Sequence, residues 1–213
     1  VRCELANDAD ESVRRLWKES LFHDEDREVL MFAALGHDFG KPVTVTTDEH
    51  GAICFPDHAN AAAKQLRKFL DRMRPPNRIV NRAIPLVRES AMTLHSPTPG
   101  NVRRLACRLS PANIRQWVAL CHCDAPETFS SRCSESPPRL RGLEWLKMAV
   151  EISVCDGKPD PIIQGRHLLS LGVSSGPEMG KILEQAFLAQ LDGVFTDLHS
   201  GLEWLRERLK TEF

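Results

Sequence analysis

The residues that decide the fold are Ala33-Ala34-Leu35-Gly36-His37-Asp38-Phe39-Gly40-Lys41-Pro42, where an apolar segment gives way to a sharp turn. The apolar residues before the turn recur at helical spacing and predict a helix over residues 26–36. Gly40 and Pro42 break that pattern, so the helix delivers His37 and Asp38 side by side at its end. Residues 41–55 combine Pro42, a β-branched run and Gly51, which predicts a loop with a short hairpin.

Outside this stretch, the same periodicity predicts an all-α fold. Further helices are predicted over residues 10–21, 58–72, 77–90, 101–108, 111–122, 139–154, 177–192 and 197–209. The Ser/Cys/Pro-rich segment 128–138 is the best candidate for a mobile loop. Breaks at residues 156–161 predict a helical domain over residues 1–155 and a small helical domain over residues 156–213.

Composition excludes several classes of protein. The 213 residues are 42% hydrophobic and 27% charged, unlike a coiled coil, a collagen or a disordered chain. No run approaches the ~18 apolar residues of a membrane span. Seven cysteines without a CxxC pair are typical of reduced thiols, so we expect a cytoplasmic protein. Aromatic residues make up only 6%, too few for an extended single-strand stacking platform.

Charge is unevenly distributed along the chain. The net charge is −1, but residues 64–115 contain twelve Lys and Arg against Asp71 and Glu89, a local net charge of +10. This excess favours either a surface that faces phosphates or a solvated helix surface. The candidate RNA-contacting residues are Lys64, Arg67, Lys68, Arg72, Arg74, Arg78, Arg82, Arg103 and Arg104.

The His-Asp pair is the sharpest chemical signal. A helix end lets His37 and Asp38 converge on one metal ion, which lowers the pKa of bound water, and Lys41 is placed to balance phosphate charge. Asp124 is the candidate distal carboxylate ligand, and the cysteines beside it lack zinc-finger spacing. His58 and His95 each adjoin a helix end. The alternative is a turn in which His37 and Asp38 only hydrogen-bond to each other.

Several motifs together resemble a known family. They are residues 33–42 followed by Thr46-Thr47, Asp57-His58, Leu86-Val87-Arg88-Glu89, Arg103-Arg104-Leu105-Ala106, Gly165-Arg166-His167-Leu168-Leu169 and Gln190-Leu191-Asp192-Gly193. Over nearly the whole chain this pattern resembles the C-terminal HD domain and helical arm of bacterial tRNA nucleotidyltransferases (CCA-adding enzymes) and their poly(A)-polymerase-like relatives. The resemblance implies an HD-like helical bundle followed by the helical arm of that family.

The resemblance also implies site residues and partners. In a metal-dependent phosphohydrolase of this type, His37, Asp38 and Asp124 hold a divalent ion (Mg, Mn or Ni), His58 or His95 orients phosphate or water, and Lys41 stabilises charge. The implied partners are tRNA or another structured RNA, a nucleotidyltransferase domain in the same or a separate chain, and a second copy of the chain in a homodimer. No membrane partner is expected.

Two departures from the family pattern bear on activity. No histidine precedes His23, so the position of the family's upstream metal-binding histidine falls near Cys3 or before the given sequence begins. Ser90 stands where the family usually has a histidine, although His95 lies close by. No Gly-Ser pair followed by Asp-x-Asp is present, so this chain by itself is not expected to add CCA. Three hypotheses about function remain: an RNA-binding module, a phosphohydrolase acting on 2′,3′-cyclic or terminal phosphates, and a degenerate HD fold kept for packing. Whether the chain is a stand-alone protein or a fragment stays open.

Overall fold

The computed structural model describes residues 24–91, 96–124 and 138–212, with side chains over 26–91, 96–121 and 142–210. The predicted helix over residues 10–21 and all but the last residue of the predicted loop at 128–138 lie outside these ranges. So do His95 and the side chain of Asp124.

The first described elements frame the His-Asp pair. Helix α1 spans Asp24–Gly36, and after a turn the short helix α2 spans Lys41–Thr44. Strands β1 (Thr46–Thr47) and β2 (Ile53–Cys54) then pair antiparallel, with Thr46 opposite Cys54. The hairpin predicted after the His-Asp pair is therefore confirmed, and it is preceded by one helical turn that was not expected.

Within the described ranges, all the remaining elements are helices. They are α3 (His58–Met73), α4 (Asn77–Arg88), α5 (Pro99–Leu109), α6 (Ile114–Asp124), α7 (Pro138–Glu151), α8 (Gly165–Ser170), α9 (Pro177–Asp192) and α10 (Leu198–Glu212). The all-α prediction is confirmed, and the predicted helices that fall in these ranges match within three residues at each end. Helix α8 was not predicted, because six residues are too few for apolar periodicity to show.

Helices α1, α3, α4, α5, α6 and α7 share one apolar core. Leu66, Leu86 and Leu105 are fully buried in it, and the rings of Trp117 and Trp145 meet edge to face with centroids 5.5 Å apart. A polar network crosses the same bundle. Asp26 Oδ1 accepts hydrogen bonds from Arg82 and from Gln116, each at 2.6 Å. The network therefore joins α1, α4 and α6 through one carboxylate oxygen.

A second cluster of buried apolar residues lies in the C-terminal helices. It contains Ile163, Leu168, Ile182, Ala186, Phe195 and Leu205. The division of the chain at residues 155 and 156 stays a prediction, although each side of it has its own buried cluster. In the described part of the chain, no helix has both the length and the apolar character needed to cross a membrane.

Polar contacts connect the two clusters, and we call this surface the junction. Arg104 of α5 donates from Nε and Nη2 to Asp192 Oδ1 of α9, at 3.2 and 2.5 Å. Arg115 of α6 donates to both oxygens of Asp156, at 2.6 and 3.2 Å. Gln190 binds the connecting segment through the backbone N–H of Ile162 and the carbonyl of Asp160.

Candidate functional site

The His-Asp pair lies in a corner between α1 and α2, which we define as residues 37–41. The backbone turns here because Phe39 N–H donates to Gly36 O and Lys41 N–H donates to Asp38 O. His37 Nδ1 donates to the carbonyl of Ala34 at 2.7 Å. Its Nε2 then faces Asp38 Oδ1 at 3.5 Å. A backbone carbonyl thus fixes the imidazole and leaves Nε2 as the nitrogen directed at the carboxylate.

Lys41 closes the corner on its other side. Its ammonium lies 2.7 Å from Asp38 Oδ1 and 2.8 Å from Oδ2, so it contacts both oxygens of the carboxylate. Asp38 is about half exposed, and its charge is balanced within the chain. The ammonium also lies 6.0 Å from the centroid of the ring of Phe55, the residue that follows β2.

Gly40 lets the corner pack directly on the first turn of α3. A Cβ atom at this position would lie 1.9 Å from the carbonyl oxygen of His58 and 2.6 Å from the nitrogen of Ala62. No side chain fits in that space, so the glycine is required by close approach. The backbone of His58 is thereby brought to the corner. Its side chain repeats the arrangement of His37, since Nδ1 donates to the carbonyl of Phe55 at 2.9 Å.

The described residues do not fit a complete metal centre. Among them, no three His, Cys, Asp or Glu side chains lie close enough together to hold an ion. His37 and Asp38 supply two donors, and Lys41 already contacts both oxygens of one of them. The third predicted ligand, Asp124, has its side chain outside the described ranges. The ligand set therefore stays a prediction, and no chemical step is derived through a metal.

Two grooves lie beside the corner, along the outward side of α3. The first, which we call the basic groove, has a volume of about 670 Å³. Its lining includes four cationic side chains: Lys64, Arg67, Lys68 and Arg88. The second, which we call the phenylalanine groove, has a volume of about 490 Å³ and is lined by Phe39, Pro42, Val43, Gln65, Lys68, Phe69 and Arg72. The two grooves meet at Val43, Gln65 and Lys68, and neither is lined by His37 or Asp38.

The structure sorts the predicted basic residues into two groups. Several arginines pair with acids of other elements: Arg78 with Glu28, Arg82 with Asp26, Arg104 with Asp192, Arg108 with Glu89 and Arg115 with Asp156. Arg103 donates to the carbonyl of Leu191 at 3.4 Å. The cations of α3 differ. Within the described ranges, Arg67 pairs only with Asp71 of the same helix, and Lys64, Lys68 and Arg72 form no ion pair.

Sequence reasoning missed four residues of these grooves. Arg88 was counted in the basic excess but not among the RNA-contacting candidates, and Gln65 was not considered. Phe39 and Phe69 were read as parts of the motifs and of the apolar face. A signal for two of them was present, because Gln65 and Phe69 are spaced by four residues and share one helix face with the predicted Arg72, three residues further on.

Comparison with known proteins gives two findings. The HD domain family matches residues 4–123 of the chain. The chain is also 31% identical over 163 residues to the CC-adding tRNA nucleotidyltransferase of Thermus thermophilus, an alignment that covers 76% of this chain and 36% of that protein. The chain thus spans about a third of the length of this relative. No solved structure matches the chain.

Proposed function

Because the chain belongs to the HD domain family and its motifs resemble those of tRNA nucleotidyltransferases, we propose that it is an RNA-binding module whose contact surface is the outward side of α3. The ligand is the phosphate backbone of tRNA or of a similarly structured RNA. The relative found by comparison is named for a reaction on tRNA, and the chain corresponds to about a third of it. A nucleotidyltransferase domain, in the same or a separate chain, supplies nucleotide addition in this proposal.

The observation that carries the proposal is the exposure and the regular spacing of the cations on α3. Lys64, Arg67, Lys68 and Arg72 are all exposed, and they recur every three or four residues, so they form one stripe along the helix. The single acid of α3 is Asp71. A stripe of four cations opposed by this one acid attracts a polyanion, because ion pairing with phosphates releases the counterions condensed on the nucleic acid.

The distribution of charge favours one orientation on the RNA. The net charge of the whole chain is −1, so the residues outside 64–115 are strongly acidic on balance. Their repulsion from phosphates turns the α3 side toward the ligand and keeps the other sides away from it. The contact reads shape and backbone position, since side chains cannot enter the narrow major groove of an RNA helix.

Removing the α3 cations tests this proposal. In the triple variant Lys64→Ala/Arg67→Ala/Lys68→Ala, we expect the affinity for a tRNA transcript to fall about 30-fold, because three phosphate contacts are lost. The slope of log Kd against log salt shrinks by about 2. Fluorescence anisotropy at several salt concentrations measures both quantities.

The matched control removes three lysines from other helices. Lys147→Ala/Lys181→Ala/Lys210→Ala changes the net charge by the same amount, and all three side chains are exposed. We expect this variant to bind within about threefold of the wild type, through long-range charge alone. Equal losses of affinity in the two triple variants would contradict a specific α3 surface.

A second candidate function is hydrolysis of a 2′,3′-cyclic or terminal phosphate at the corner. The observation that favours it is the fixed imidazole of His37, whose Nδ1 donates to a backbone carbonyl while Nε2 is directed at Asp38. Lys41 adds a cation beside this carboxylate. These groups are typical of sites that bind and protonate phosphate esters.

Release of product from 2′,3′-cyclic AMP, assayed with and without Mn²⁺, tests the second candidate. We expect Asp38→Asn to abolish turnover and Glu49→Gln, which alters an exposed acid in the hairpin turn, to leave it unchanged. Absence of turnover in the wild type under both conditions, with RNA binding intact, would leave the binding module as the function.

A further inference from the structure

We propose that the phenylalanine groove binds one unpaired nucleotide, with the base against Phe39 and Phe69 and its phosphate on Lys68 and Arg72. The inference rests on the proposed RNA-binding function and adds a subsite to it. The groove has a volume of about 490 Å³, within the range of pockets that hold small organic ligands.

The walls of this groove suit a flat aromatic ligand. The rings of Phe39 and Phe69 meet edge to face, with centroids 5.9 Å apart and an angle of 78° between their planes. Both rings are half-buried and also pack on the main core, so their positions are fixed before any ligand binds. Val43, which is 61% exposed, adds an apolar wall. Base–aromatic contacts are favourable for every base, since each has a π face.

The charges around the groove suit a phosphate. Lys68 and Arg72 are exposed at its lining, and the lining contains no Asp or Glu. Gln65 offers an amide that both donates and accepts, as the edge of a base requires. An apolar floor with two cations and one amide is complementary to an anion that has a planar uncharged part, and a nucleotide is such a ligand.

Because the two grooves are continuous, the nucleotide belongs to the RNA that lies in the basic groove. Lys68 lines both grooves, and so do Val43 and Gln65. An RNA whose backbone follows the basic groove therefore passes the phenylalanine groove, and an unpaired residue of that RNA can enter it. Recognition of unpaired bases on aromatic side chains is the usual way in which proteins distinguish RNA ends and loops from duplex. One pair of rings accommodates one base.

The test uses the full chain and two RNA hairpins, one blunt and one with an unpaired 3′ tail carrying 2-aminopurine. In wild-type protein we expect the tailed hairpin to bind about tenfold more tightly than the blunt one, with a change in 2-aminopurine fluorescence. Phe69→Leu removes the ring but keeps an apolar side chain, and we expect it to abolish the tenfold preference. Phe187→Leu, a half-buried phenylalanine of α9, is the matched control and keeps the preference.

A second variant covers the risk that Phe69→Leu disturbs folding. Val43 is exposed, so Val43→Asp leaves the core intact and places a negative charge in both grooves. We expect Val43→Asp to abolish the preference for the tailed hairpin as well. If the preference survives both Val43→Asp and a folded Phe69→Leu, the subsite is wrong.

The two proposals fail in different ways. If the α3 triple variant weakens both hairpins equally while wild-type protein shows no preference, the RNA-binding surface stands and the nucleotide subsite is wrong. If wild-type protein binds neither hairpin, the proposed function is wrong, and titration with adenosine monophosphate decides the subsite alone. Binding of this nucleotide that is lost in Arg72→Ala supports the subsite, and absence of binding overturns it.

Discussion

The corner at residues 37–41 and the outward side of α3 are neighbours with opposite properties. In the corner, His37 is bound to a backbone carbonyl, and the carboxylate of Asp38 contacts both His37 and Lys41. On α3, the cations extend into solvent, and Lys64, Lys68 and Arg72 form no ion pair with any described carboxylate. The strongest sequence motif thus marks the place whose polar groups are satisfied internally, while the weaker signal, a run of basic residues, marks the surface left open to a ligand.

The comparison teaches that the residues of a sequence motif can determine how a neighbouring helix packs. Gly40 and the turn of residues 37–40 hold α1 against α3, so the corner determines how α3 is presented. Substitutions in the corner should therefore act on stability, and substitutions on α3 should act on binding.

The largest expected effect is that of Gly40→Ala. The backbone of Gly40 has φ −81°, which any residue adopts, so the cost of a methyl group is steric only. Because that methyl would lie 1.9 Å from the carbonyl oxygen of His58, the corner and α3 must move apart, and we expect the free energy of unfolding to fall by about 3 kcal/mol. Urea denaturation followed by circular dichroism measures it.

The control for that variant is Gly180→Ala in α9. Nothing lies within 4 Å of a Cβ atom at Gly180. Alanine is the better helix former, so we expect this variant to gain up to about 1 kcal/mol. A Gly40→Ala protein as stable as the wild type would show that the corner does not pack on α3 as described.

The next prediction concerns the junction arginines, whose removal should lower stability without lowering RNA affinity. In Arg104→Ala/Arg115→Ala, two ion pairs with Asp192 and Asp156 are lost. We expect a loss of about 1 kcal/mol of stability, because these partly exposed pairs are screened by solvent, and RNA affinity within about twofold of the wild type.

The reverse pattern is expected for Lys64→Ala/Lys68→Ala. This variant keeps its stability within about 0.5 kcal/mol, since neither lysine has a described partner, and its affinity for RNA falls about tenfold. Thermal unfolding measures the stability of each double variant, and fluorescence anisotropy measures its affinity for RNA. If the junction variant loses as much RNA affinity as the α3 variant, then the junction arginines also contact RNA, as the sequence predicted for Arg104.

These two variants also show what the sequence can and cannot predict. Apolar periodicity predicts α3 and α5 within two residues, because burial of one helix face is a local property of the chain. The acid with which each arginine pairs, by contrast, depends on residues far away in the sequence. Arg104 pairs with Asp192, which lies 88 positions away, and Arg82 pairs with Asp26, 56 positions away. A net charge counted along the sequence therefore treats Arg104 and Lys64 alike, although only one of them faces outward without a partner.

The same limit applies to the corner. The sequence predicts that His37 and Asp38 adjoin at a helix end, since both lie within one turn. The contact of Lys41 with both oxygens of Asp38 depends on the single turn of α2, which the β-branched run of residues 43–47 did not predict. The close approach of Gly40 to α3 likewise needs the tertiary arrangement of two helices.

A smaller effect is expected for Asp71→Asn, which removes the single acid of α3. The carboxylate of Asp71 lies 3.3 Å from Arg67 Nε, one turn away on the same exposed side. Because the substitution frees Arg67 and raises the local net charge by one, we expect about threefold tighter RNA binding at low salt and no difference at high salt. Anisotropy at two salt concentrations measures it, and weaker binding would contradict the assignment of this side of α3 to RNA.

The smallest effect is a pH dependence at the junction. The hydrogen bond from Arg115 lowers the pKa of Asp156 below its ordinary value, while burial raises the pKa of the Cys155 thiol, which stays protonated and donates to Asp156 at 3.0 Å. Because the carboxyl has its lower pKa in the folded state, its stabilising contribution is complete above the unfolded pKa of about 4 and is lost as the pH falls below it.

The difference in unfolding free energy between wild type and Arg115→Gln should therefore be constant from pH 7 to pH 5 and shrink toward pH 3. Since Asp156 is 68% exposed, the change is small. A difference that stays constant down to pH 3 would show that Arg115 acts through packing and not through the charge of Asp156.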